Sequence, residues 1–121
     1  MTLEQVDGLD VSEGLERCMN NRILYRDVLL EFRERYGDLA GRLEALFAAD
    51  QWADAEALTH AVKGTSGMLS ANDLYAAATA LNATLKLARD SGRPPGQLKE
   101  DMELFRRELV RLLTGINKLG S

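Results

Sequence analysis

The chain holds a single histidine, His60, and the residues around it differ from those that ordinary packing calls for. On a helical wheel at about 100° per residue, Ala53, Glu56, Ala57, His60, Lys63, Gly64, Gly67 and Ala71 share one side of the stretch from Trp52 to Ala71. Leu58, Val62 and Leu69 fall on the other, with Ala55 and Thr65 beside them. Burial of an apolar side is what holds a helix of this length in place, so His60 is expected to point to solvent. Neutral imidazole, with a reference pKa of about 6.5, is available as a nucleophile near neutral pH. Lys63, one turn further on, adds a positive charge.

Two glycines, Gly64 and Gly67, lie within two turns of the histidine on its own face. Each costs a helix about 1 kcal/mol relative to alanine. Glycine removes the side chain where another surface must come close, so His60 is expected to stand in a cleared landing zone that the small Ala53 and Ala57 extend. Close packing of two helices inside a bundle is the competing account, and it bears on Gly67 more than on Gly64. Glu56, one turn before His60, either orients the imidazole or is simply a solvated carboxylate.

The run His60-Ala-Val-Lys63-Gly64, followed by small residues to Ser70-Ala71 and then Leu74, resembles the signature of histidine-containing phosphotransfer (HPt) domains. That signature reads His, any residue, Leu, Lys, Gly, then small residues, Gly-Ala and a following Leu. The upstream GLDVSEGLERCMNNRILYRDVLLEFRERY is similar to the family's opening helices. Val62 stands in place of the common leucine and Ser70 in place of the glycine, departures that bear on turn geometry more than on transfer.

The resemblance implies that His60 is the phosphoacceptor, carrying a phosphoramidate, and that Lys63 stabilises the phosphoryl oxygens. It implies contact with response-regulator receiver domains, including one carried by a hybrid sensor kinase, through Glu56, Ala57, Gly64 and Gly67. In such a relay phosphate passes from the aspartyl-phosphate of one receiver to the aspartate of another. Mg²⁺ and the catalytic pocket are expected in the receiver, leaving this chain without a cofactor or metal and without kinase activity of its own.

The elements that must position the histidine follow from composition and periodicity. A chain of 121 residues with 45% hydrophobic content is one domain's worth and enough for one core. Three Phe, three Tyr and one Trp among abundant Leu and Ala favour helix on helix over a sheet. Residues 1–9 lack periodicity and read as a loose lead-in. Asp10 followed by Glu13 predicts a short capped helix to about Met19, broken by Asn20-Asn21. From Arg22 apolar residues recur at helical spacing through Phe47, as one helix or as two with a bend near Gly37, where Asp38 could cap the second. Arg22, Arg26 and Arg33 along its flank read as a solvated edge.

Asp50 is a candidate cap for the histidine helix, with Trp52 packing at its start. Leu74, Ala78, Leu81, Leu85 and Ala88 form the next stripe, ended by the punctuation from Asp90 to Gly96. Leu98, Met102, Phe105, Leu109, Leu112 and Ile116 mark the last helix. These stripes most economically bury one another, which predicts an all-α fold: an antiparallel four-helix bundle, up-down-up-down, with a short accessory N-terminal helix.

Other classes fit poorly. A net charge of −4 argues against nucleic-acid binding. No apolar run approaches about 18 residues, so no membrane span is expected. A lone Cys18 points to no disulfide or zinc site, and with no signal peptide the expected location is the cytoplasm, as a monomer. A hydrolase would need a nucleophile beside His60, but Ser66 lies about 120° away round the helix. The Glu-x-x-His spacing of carboxylate-bridged metal sites is absent because position 57 is alanine. The alternative to a relay is a non-phosphorylated helical interaction module that binds a receiver or kinase through the same face.

Overall fold

Alternating spacings of three and four along the last predicted helix give it one apolar seam, and Met102, Phe105, Leu109, Leu112 and Ile116 are all buried. The computed structural model describes residues 2–120, and among them there is no strand. The helices are α1 Val11–Arg17, α2 Arg22–Tyr36, α3 Leu39–Ala48, α4 Trp52–Met68, α5 Asn72–Ser91 and α6 Leu98–Leu119, preceded by a single 3-10 turn at Leu3–Gln5. α4 packs most extensively on α5 and α5 on α6. α2 closes onto α6, α3 onto α4, and α1 onto α2. The result is a helical bundle around one apolar core.

Local chemistry sets the helix ends. The Asp10 carboxylate accepts from the Glu13 N–H at 3.1 Å, and the Asn21 side chain from the Leu24 N–H at 3.0 Å, each satisfying a donor that the first turn leaves open. α5 stops where Gly92 turns left-handed at φ +75° and donates its N–H to the Ala88 carbonyl at 2.8 Å. The Arg22–Phe47 pattern is two helices, interrupted at Gly37-Asp38. Asp38 does sit at the start of α3, but its carboxylate pairs with Arg42 at 3.6 Å and caps no backbone donor.

Two expectations need correction. Residues before α1 are not a loose lead-in: Leu3 and Val6 are buried, at 5% and 3% exposure, although Met1 lies outside the described residues. A 3-10 turn with two apolar contacts has no helical repeat for a periodicity argument to find. Arg22 and Arg26 are exposed, as a solvated edge would be, and they also tie both chain ends to α2. Arg22 pairs with Glu4 at 2.7 Å, a bond that holds the Glu4 carboxyl down to about 2, and Arg26 donates to the Leu119 carbonyl at 3.0 Å. Arg33 pairs with its neighbour Glu34, at 3.3 Å. Finally, Asp50 does not cap α4. It takes the left-handed position of the α3–α4 turn at φ +54°, a conformation aspartate tolerates, and Gln51 precedes the helix without a side-chain cap. Trp52 does pack at the helix start, stacked on Phe47 with ring centroids 5.7 Å apart.

Candidate functional site

α4 buries Trp52, Ala55, Thr59, Val62 and Ser66, and Leu69 just beyond its end is buried with them. Two of these are polar, and their hydroxyls are satisfied inside the helix: Thr59 donates to the Ala55 carbonyl at 2.9 Å and Ser66 to the Val62 carbonyl at 2.7 Å. With that seam inward, Ala53, Ala57, His60 and Gly64 are exposed and Lys63 is half-buried. Among the described residues neither the His60 nor the Lys63 side chain has a hydrogen bond or an ion pair. Ala71, grouped with the histidine on the wheel, is instead fully buried just beyond the helix end, where the 100° rule no longer applies.

The two glycines differ. A Cβ built at Gly64 meets nothing within 4 Å, so no internal neighbour calls for glycine there. One built at Gly67 lies 3.3 Å from the ring of Tyr75 on α5, so Gly67 receives that ring and the clearing ends at it. Glu56 neither orients the imidazole nor stands free in solvent. Its carboxylate is 3.6 Å from the Arg89 guanidinium and only 18% exposed, while its carbonyl accepts from the Asn82 amide at 3.0 Å. Together, the Gly67–Tyr75 and Glu56–Asn82 contacts fix an antiparallel register of α5 on α4. That register brings Tyr75, Thr79, Asn82, Lys86 and Arg89, spaced four and three apart, along the flank of the histidine face.

A protein-family model of the Hpt domain matches residues 27–118, well over half of the chain. The chain belongs to the Hpt domain family. Comparison with curated proteins and with solved structures gave no significant match. Hpt domains serve phosphotransfer in two-component signalling, are phosphocarrier modules and not kinases, and interact with receiver domains. The match to this Hpt domain begins inside α2, so α1 and the turn before it lie ahead of the matched span.

The departure at Ser70 has a physical account in this Hpt domain. Ser70 is left-handed, at φ +59°, which is where glycine is least costly. Serine is held there by two bonds: its hydroxyl donates to the Glu13 carboxylate at 2.9 Å, and its carbonyl accepts from the Asp10 N–H at 2.9 Å. The turn after α4 is thereby tied to α1. Next to it, Tyr25 donates from its buried hydroxyl to the Leu69 carbonyl at 2.7 Å, and burial pushes that phenol well above its ordinary pKa.

Sequence reasoning missed Asn82 and Arg89. Both are polar residues on the wall α5 presents to α4, a signal usable only once the register of the two helices is known. A groove of about 480 Å³ runs between Phe47, Pro94–Gly96 and the α6 residues Leu98, Met102 and Arg106, and no residue of α4 lines it. Among the described residues no three His, Cys, Asp or Glu side chains form a group able to hold a metal ion, and no helix is long and apolar enough to cross a membrane.

Proposed function

We propose that His60 accepts a phosphoryl group from the aspartyl-phosphate of one receiver domain and passes it to the aspartate of another. The observation that carries this reading is an exposed, unpaired imidazole beside open space at Gly64. Phosphoryl transfer asks mainly for in-line positioning and charge stabilisation. A histidine protruding from a helix fixed on one side to α5 and on the other to α3 meets the first need. Lys63 meets the second, its ammonium pairing with the phosphoryl oxygens as the N–P bond forms and the aspartyl P–O bond breaks. The proton on the attacking nitrogen's partner is free to exchange with water, because the ring is exposed. Mg²⁺ is supplied by the receiver, whose loops approach across Ala57 and Gly64, with Gly67 and Tyr75 at the edge of the contact. Within the bundle, we read α2 and α3 as one broken member beside α4, α5 and α6, an antiparallel set of four with α1 as the accessory.

The test is incubation with a phosphorylated receiver. Acid-labile phosphate should move onto the chain, and His60→Gln should abolish the labelling. Labelling retained in that variant rejects His60 as the acceptor. Receiver binding without any labelling of the natural chain replaces the relay with the interaction module.

A further inference from the structure

Glu56 lies four residues before His60, and side chains at that spacing are neighbours on a helix surface, with Cβ atoms about 5–6 Å apart. A free carboxylate there would act against phosphate transfer in two ways. It would favour imidazolium over the nucleophilic neutral ring, and it would set an anion beside the incoming phosphoryl group. The structure keeps it elsewhere. The Arg89 guanidinium, on α5, lies 3.6 Å from the Glu56 carboxylate, which is only 18% exposed, and Asn82 ties α5 to the same turn through the Glu56 carbonyl at 3.0 Å. Arg89 also reaches Asp90 through Nε at 3.2 Å, an exposed contact that leaves Nη1 for Glu56.

We propose that Arg89 is a positioning residue that holds the Glu56 carboxylate against α5 and so keeps it away from His60. The proposal rests on His60 being the phosphoacceptor. With Glu56 paired, the nearest charge to His60 on its own helix is Lys63, one turn further on, and the exposed Lys86 stands on α5 between Asn82 and Arg89. Several charges on the other elements are engaged with partners of their own. Arg42 on α3 pairs with Asp38, Glu44 on α3 with Arg106, and Glu31 with Arg35 on α2. The pair across α4 and α5 therefore governs whether the Glu56 charge acts on the ring.

Because the chain has one histidine, its reaction with diethyl pyrocarbonate, followed as N-carbethoxyimidazole absorbance, reports on His60 alone and needs no receiver. This rate should be measured from pH 5.5 to 8.5 for the natural chain, Arg89→Ala and the double variant Arg89→Ala/Glu56→Gln, alongside phosphoryl uptake from a phosphorylated receiver. Arg89→Ala should move the carbethoxylation profile to higher pH. A shift of one pH unit would slow the reaction at pH 7 roughly threefold, with uptake slowed at least as much. The double variant should recover both rates. It lacks the ion pair as completely as the single variant does, so a merely structural role predicts no recovery. An Arg89→Ala profile that superimposes on the natural one, or a double variant as slow as the single, overturns the proposal. If the natural chain takes no phosphate at His60, the relay reading fails, and the carbethoxylation profiles still decide the role of Arg89.

Discussion

Gly64 and Gly67 look alike as letters and differ in what surrounds them. At Gly64 nothing opposes a side chain, so Gly64→Ala should raise stability by about 1 kcal/mol, the ordinary helix penalty of glycine. Thermal unfolding checks this. Gly64→Gln should fold at least as well and yet transfer phosphate at least tenfold more slowly, because its side chain fills the approach to His60. A large loss of stability with normal transfer would assign Gly64 to packing instead. At Gly67 the same alanine substitution must displace the Tyr75 ring by a few tenths of an ångström, so its stabilisation should be smaller. Lys63→Ala leaves the fold intact in this account, since the ammonium has no partner within the described residues. It should shorten the lifetime of the phosphorylated form or slow its formation several-fold, as acid-labile phosphate followed over time would show. The exposure of His60, and the residues immediately around it, were legible in the sequence because one helix carries them all. The inward turn of Glu56 was not, because its partner Arg89 lies 33 positions away on another helix, the difference between residue numbers 89 and 56.

At the scale of elements, the turn between α4 and α5 shows a family position filled by an uncommon residue. Ser70 stores the cost of a left-handed non-glycine residue, about 1 kcal/mol or more, and offsets it with a hydrogen bond to Glu13 worth a similar amount. Ser70→Gly should therefore change stability little while loosening α1, which amide exchange in residues 11–17 would report. Ser70→Val puts a β-branched residue at φ +59° and also breaks the bond to Glu13, and should destabilise by about 2 kcal/mol or more. The helices themselves were legible wherever a stripe ran for three turns or longer. Their ends were legible where a cap has one chemical meaning, as at Asp10 and Gly92, and misread at Asp50, where aspartate suits a left-handed turn as well as a cap.

Across the whole molecule, the N-terminal turn is clamped to both α6 and α2. Val6 packs against α6 where a Cβ on Gly115 would lie 2.8 Å from it, and Arg22 pairs with Glu4. The Glu4 carboxyl is held at about 2, below its ordinary 4.5, chiefly by the Arg22 hydrogen bond. A lowered folded-state value means that the clamp contributes fully above pH 4.5 and is lost as pH falls through about 2. Amide resonances of residues 3–6 should accordingly move across that acidic window, and Arg22→Ala should return the movement to the ordinary glutamate range.

The sequence by itself determined the elements and the face that His60 presents, because helical periodicity and capping are local, written within a few residues of each other. It also carried the family, since the motif from His60 to Leu74 sits on one helix and the turn that follows. Only the tertiary structure decided which polar residues meet: the pairing of Glu56 with Arg89, the seat of Tyr75 on Gly67, and the burial of Leu3 and Val6. Those contacts depend on the register of one helix against another. Register is set by the sum of packing over the whole core, which no single stretch of the chain contains.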